Sequence, residues 1–120
     1  MDYRILLVED DRSLAGAIES QMALWAMNCT AVSDFRAVMA EFAAVQPHLV
    51  LMDVSLPYMS GYHWCAEIRK VSSVPVVFIS SAGDNMNIIM AMNMGGDDFI
   101  AKPFDTSVLI AKVRSLLRRT

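Results

Sequence analysis

Four short apolar runs in this 120-residue chain each stop on a polar or charged side chain. Ile5-Leu6-Leu7-Val8 stops on Glu9-Asp10-Asp11, and Leu49-Val50-Leu51-Met52 stops on Asp53. Val76-Val77-Phe78-Ile79 stops on Ser80-Ser81, and Phe99-Ile100-Ala101 stops on Lys102-Pro103. Runs this short that are apolar on both faces, such as the one bounded by Pro47 and Pro57, read as strands buried in a parallel sheet. Ligands bind at the carboxyl edge of such a sheet, which is where Asp53 falls.

If these strands are adjacent, one edge collects several carboxylates, a hydroxyl and one ammonium. Carboxylates brought together repel unless a cation or raised pKa values relieve them. Hard oxygen ligands beside a lysine point to Mg²⁺ plus an anion, with phosphate fitting best.

The intervening segments carry helical periodicity. The strand at 4–8 leads to a helix with Leu14, Ile18, Met22 and Trp25 on one face, capped by Asp11 or Ser13 and ending near Asn28. A weaker strand follows at 29–33. Asp34 is placed as the cap of a helix bearing Phe35, Val38, Met39 and Phe42, which stops before Pro47. A helix with Trp64, Cys65 and Ile68 follows the Asp53 strand. Gly83-Asp84-Asn85 opens a helix over 86–94, which Gly95-Gly96 closes with a left-handed cap. After a strand at 97–101, Asp105 or Thr106 caps a last helix through Leu109, Val113, Leu116 and Leu117. Five strands alternating with five helices predict an α/β fold, a three-layer doubly wound parallel sheet with helices on both faces.

A chain of this length forms one domain, and a 55% hydrophobic content excludes intrinsic disorder. The apolar runs are too short to span a membrane, and Asp2 and Arg4 directly before the first strand are unlike a signal peptide, so the expected location is the cytoplasm. A net charge of −3 argues against this segment gripping nucleic acid, despite the cluster Arg114, Arg118 and Arg119. Cys29 and Cys65 match no metal spacing and are read as reduced buried thiols. His48 and His63 belong to no motif and are read as structural or surface residues.

Taken together, Leu6-Leu7-Val8-Glu9-Asp10, Leu51-Met52-Asp53-Val54-Ser55-Leu56-Pro57, Gly61, Ile79-Ser80-Ser81-Ala82 and Gly95-Gly96-Asp97-Asp98-Phe99-Ile100-Ala101-Lys102-Pro103-Phe104 resemble the receiver domains of bacterial two-component response regulators. The stretch from Asp98 to Phe104 and the closing Leu116-Leu117-Arg118-Arg119-Thr120 are similar to the OmpR/PhoB type. The resemblance implies a flavodoxin-like, CheY-like receiver over residues 1–120. A winged-helix DNA-binding domain would follow in the full-length protein but is absent from this chain, so DNA would be contacted only through that missing effector domain.

By the same resemblance, Asp53 is the phosphoacceptor. Asp10 and Asp53 would ligate Mg²⁺ through carboxylates, Ser55 through its carbonyl and Glu9 through water. Lys102 would pair with the phosphoryl group across a Lys102-Pro103 bond that the family usually holds cis. Ser80 would be the switch hydroxyl and Phe99 the switch aromatic. The donor would be a sensor histidine kinase, and the role that of a phosphorylation-activated transcriptional regulator rather than an enzyme. Ser81 departs from the family's usual alanine.

The resemblance also implies homodimerisation through the fourth helix, fifth strand and fifth helix, by trans pairs Asp97 with Arg119 and Asp98 with Lys112. A third pair, usually ionic, falls on Ile88 and Val108, both apolar here. The run Met86, Ile88, Ile89, Met90, Met92 and Met94 is apolar on more than one helical face, which suits a covered or adaptable surface as well as a core. Two rival readings are an aspartyl-phosphate-forming phosphohydrolase and a receiver-like interaction module independent of phosphorylation. The first needs a second acid two residues after the nucleophile, where Ser55 stands; the second makes the acids, hydroxyl and lysine superfluous.

Overall fold

The computed structural model describes residues 2–81 and 85–119. Ala82 of the fourth motif segment, the Gly83-Asp84 expected to lead into a helix, and the terminal Thr120 lie outside the described residues. The elements run β1 (Tyr3–Val8), α1 (Arg12–Leu24), β2 (Met27–Ala31), α2 (Val38–Val45), β3 (Leu49–Asp53), α3 (Gly61–Arg69), β4 (Val76–Ser80), α4 (Asn85–Asn93), β5 (Asp98–Ala101) and α5 (Thr106–Arg118). All strand pairs are parallel, in the order β2-β1-β3-β4-β5. The direction of winding reverses between β1 and β3, and a crevice opens there at the carboxyl edge.

Two apolar layers explain why the strand runs lack alternation. Ile5, Leu7, Leu49, Leu51, Val77 and Ile79 face α1 and α5, meeting Ile18, Met22, Leu109 and Val113. Leu6, Val8, Val50, Met52, Val76 and Phe78 face the other side, meeting Val38, Trp64, Cys65, Ile68 and Ala91. Each strand is greasy on both faces because each face is covered by a helix.

Local chemistry sets the helix ends. The Asp11 carboxylate accepts from the Ser13 and Leu14 N–H groups at the start of α1, and Asp105 accepts from Ser107 N–H at the start of α5. Past α4, Gly95 takes φ +98° while Gly95 N–H bonds Met92 O and Gly96 N–H bonds Ala91 O, the Schellman arrangement.

Two local expectations shift. Helix α1 ends at Leu24 rather than near Asn28, because Ala26 turns left-handed at φ +57° and β2 starts two residues early, with Met27 in register with Tyr3. Trp25 therefore leaves the helix and is 50% exposed, with the Arg114 guanidinium 4.1 Å above its ring. Asp34 caps no helix, since α2 starts at Val38 with Ala37 as its N-cap; its carboxylate accepts from Arg36 N–H in the preceding turn instead. For the apolar run of α4 the surface reading holds over the core one: Met86, Ile88, Ile89, Met90 and Met92 are exposed, and Ala91 is the buried residue.

Gly61 sits where no side chain fits, since a Cβ there would lie 2.0 Å from Asp53 O and 2.9 Å from Met52 Cγ. A Cβ on Gly16, in the exposed middle of α1, would meet nothing within 4 Å. Gly61→Ala is expected to destabilise the fold by about 3 kcal/mol through overpacking, whereas Gly16→Ala stabilises it by about 0.5–1 kcal/mol through helix propensity. Urea unfolding of both variants checks the contrast, and equal midpoints would contradict it.

Candidate functional site

Sheet register brings the polar run-ends together. Val8 pairs with Met52, so the residues that follow them, Glu9 and Asp53, emerge side by side. Ser80 pairs with Ala101, so Lys102 leaves β5 beside the end of β4, and its N–H donates to Ser80 O at 2.8 Å. The Lys102-Pro103 bond is cis, as the resemblance implied. From there the Lys102 ammonium reaches Glu9 Oε1 at 2.7 Å and Asp53 Oδ2 at 3.2 Å.

The outer oxygens are held by main chain. Asp11 N–H donates to Glu9 Oε2 at 3.0 Å, and Ser55 N–H donates to Asp53 Oδ1 at 3.3 Å. Glu9, Asp53 and Ser80 are buried at 2%, 3% and 2% exposure, while Asp10 faces solvent. Glu9, Asp10 and Asp53 each present a carboxylate oxygen, all within 4.8 Å of one another.

Burial pushes the Glu9 carboxyl above its usual range, against the pull of the Lys102 ammonium and the Asp11 N–H, with Asp53 adding repulsion. Burial also works against the Lys102 ammonium. Its bond to Glu9 and the charge of Asp53 outweigh that and hold its pKa above the ordinary lysine value. One ammonium therefore pairs with two buried carboxylates, while a third acid, Asp10, stands beside them. An all-oxygen donor set, compressed to this extent and in excess of negative charge, fits a divalent cation of the Mg²⁺ class.

Phe99 is half-buried, packed against the α3-side core layer and paired in register with Phe78. Ser81 and Ser55 are exposed at the mouth. Away from this edge, Asp97, Asp98, Val108, Lys112 and Arg119 line one groove between β5 and α5. Within the protomer, Lys112 Nζ contacts Asp98 Oδ2 at 3.1 Å, and the Asp97 carboxylate is taken by Arg69 at 2.9 Å and by Val76 N–H at 2.8 Å. Ile88 and Val108 are 37% and 48% exposed. His48 Nδ1 accepts from Arg4 N–H, and the His63 ring packs on Trp64.

Arg69 escaped sequence reading. Its guanidinium donates to Gly95 O, Val74 O and Asp97, tying the end of α3 to the turn before β5. From sequence an arginine in a last helical turn is indistinguishable from an ordinary helix C-terminal charge. Cys29 is a half-buried and Cys65 a buried free thiol; burial pushes Cys29 up to about 12 and also raises Cys65, which disfavours the thiolate.

Lys102→Met would leave Glu9 and Asp53 facing each other without the cation, an expected loss of about 3 kcal/mol. Adding Glu9→Gln in that background is expected to restore part of it. A double-mutant cycle by urea unfolding without divalent cations measures the coupling, and a coupling energy near zero would contradict the geometry.

Among the described residues no helix is long and apolar enough to cross a membrane. The family of response regulator receiver domains matches residues 5–114. The sensory transduction protein BceR of Halalkalibacterium halodurans is 42% identical over 117 residues, covering 98% of this chain and 51% of that protein. Response regulator protein GraR of Staphylococcus saprophyticus is 44% identical over 115 residues, covering 96% of the chain and 51% of that protein. The chain thus spans about half the length of these curated relatives. The N-terminal domain of the nisin resistance regulator NsrR, a lantibiotic response regulator, superposes with a TM-score of 0.88 at 45% identity over 96% of this chain and 97% of that one. With its five-stranded parallel sheet and the acidic edge where the winding reverses, the chain belongs to the receiver domains of response regulators, of the OmpR/PhoB type.

Proposed function

We propose that this chain accepts a phosphoryl group on Asp53 from the phosphohistidine of a sensor histidine kinase, and that the modified form dimerises through α4, β5 and α5. The observation that carries this reading is the Lys102 ammonium standing 2.7 Å from Glu9 and 3.2 Å from Asp53 at the crevice edge. Phosphoryl transfer asks little covalent work of a protein beyond placing a nucleophile and neutralising charge.

An Asp53 carboxylate oxygen attacks phosphorus in line, forming the acyl phosphate as the bond to the donor imidazole breaks. Ser55 N–H holds the other oxygen and so orients the attacking one. Lys102, already paired to Asp53, transfers its contact to a phosphoryl oxygen and balances the added charge as a point cation. Asp10 and Asp53 by carboxylate, Ser55 by its carbonyl and Glu9 through water would hold Mg²⁺, which neutralises the transferring oxygens when bound.

A phosphoryl group adds strong acceptor oxygens beyond the Asp53 carboxylate, so the buried Ser80 hydroxyl turns towards it and Phe99 moves inward into the vacated space. Ser80 already shares a main-chain bond with Lys102, which supports coupling between the two. The exposed apolar side chains of α4, with Val108 on α5, supply surface to cover. Asp98 and Lys112 pair within the protomer, and Asp97 pairs with Arg69. Trans pairs of Asp98 with Lys112 and Asp97 with Arg119 therefore form by exchange of existing contacts across the two-fold axis. In the full-length protein, a C-terminal winged-helix domain would carry the DNA contacts of a cytoplasmic transcription regulator.

Incubated with Mg²⁺ and acetyl phosphate, the chain should gain the mass of one phosphoryl group, and Asp53→Ala should gain none. Equal labelling of the variant would move the acceptor elsewhere. Ile88→Asp should weaken dimerisation of the phosphorylated chain while leaving Asp53 labelling intact; sedimentation that stays dimeric would remove the proposed face.

A further inference from the structure

The loop from Val54 to Ser60 leaves the nucleophile and returns to it. Its base is pinned twice, by Gly61 N–H to Val54 O at 2.9 Å and by the Gly61 Cα pressed against the Asp53 carbonyl. At its tip, Met59 N–H donates to Pro57 O at 2.9 Å and closes a tight turn around Tyr58. Tyr58 holds the left-handed region at φ +69°, an unfavourable conformation for a bulky side chain.

A residue from a different loop covers that tip. Arg36 Nη2 donates to the Tyr58 hydroxyl at 2.9 Å while its guanidinium lies 4.7 Å from the Tyr58 ring centroid. Arg36 itself stands on a braced turn: the Asp34 carboxylate accepts Arg36 N–H, and the Glu41 carboxylate on α2 accepts Ser33 N–H and Asp34 N–H. A fixed segment after β2 thus grips the strained tip of the segment after β3.

We infer that Arg36 and Tyr58 form a latch that positions the Asp53 loop for cation binding. The route is short: Tyr58 sets the loop, the loop carries Ser55, and Ser55 N–H holds Asp53 Oδ1. Neither latch residue touches the reacting atoms, so both are positioning residues. Tyr58 is 65% exposed and Arg36 is exposed, so removing their contact costs the core nothing. The inference rests on the proposed role of Asp53 and Ser55 in holding Mg²⁺.

The test is Mg²⁺ titration by calorimetry of the unsubstituted chain, Arg36→Ala, Tyr58→Phe and Arg36→Lys, with urea midpoints taken without Mg²⁺. Arg36→Ala is expected to weaken Mg²⁺ binding about three- to fivefold, the factor an exposed cation–π pair supports, with an unchanged urea midpoint. Tyr58→Phe keeps the ring under the guanidinium and Arg36→Lys keeps a cation over it, so both should fall between Arg36→Ala and the unsubstituted chain. With acetyl phosphate, the Mg²⁺ concentration for half-maximal labelling should rise in Arg36→Ala while the plateau rate stays. Unaltered Mg²⁺ affinity in Arg36→Ala overturns the latch alone, as does a lowered urea midpoint with that affinity unaltered. An unsubstituted chain that bound no Mg²⁺ would instead overturn the reading of the site and the latch with it.

Discussion

The ammonium of Lys102 between the buried carboxylates of Glu9 and Asp53 is the contact on which the rest of the structure depends. Two carboxylates at 2% and 3% exposure lie side by side with little solvent to screen them, and the ammonium offsets their repulsion. Lys102 comes from the end of β5, Glu9 from the end of β1 and Asp53 from the end of β3, so the pairing requires the sheet order that sets β3 between β1 and β4. The fold's reversal of winding makes the crevice, and the side chains that end the strands fill it.

Such a site is held at a cost to stability, and the surrounding chain shows where it is met. Gly61 permits the loop after β3 to fold back against the Asp53 carbonyl, an approach closed to any other residue. Tyr58 keeps an unfavourable backbone angle in a turn closed by Met59 N–H on Pro57 O, with Arg36 bonded to its hydroxyl from outside. On the far side, α4 leaves Met86, Ile89 and Met90 in water although a stable monomer gains nothing from exposing them. These features sit at the places where proposed function, rather than packing, sets the choice of residue.

Much of this was legible in order along the chain. The runs at 5–8, 49–52 and 76–79 are apolar on both faces, which only a strand covered by helices on both sides requires, and the residues directly after them are Glu9, Asp53 and Ser80. Elsewhere local pattern misled. Trp25 continued the apolar spacing of α1, yet the helix had already ended, because pairing of Met27 with Tyr3 draws the chain into β2. Asp34 had a cap's chemistry but spent it on a turn. Arg69 and Arg36 carried no signal, since each depends on a partner more than twenty residues away, Gly95 for one and Tyr58 for the other.

The amino-acid order alone determined the alternation of strands and helices, the acids, hydroxyl and lysine at the strand ends, and the glycines that permit close turns, because periodicity and residue chemistry act within a few positions. Only the tertiary structure decided which of those groups touch. The 2.7 Å contact of Lys102 to Glu9, the capture of Asp97 by Arg69 within the protomer and the exposure of α4 are outcomes of register and layer packing. Distances between residues far apart in sequence are set by the sum of all pairings in the sheet, which no local window of the chain contains.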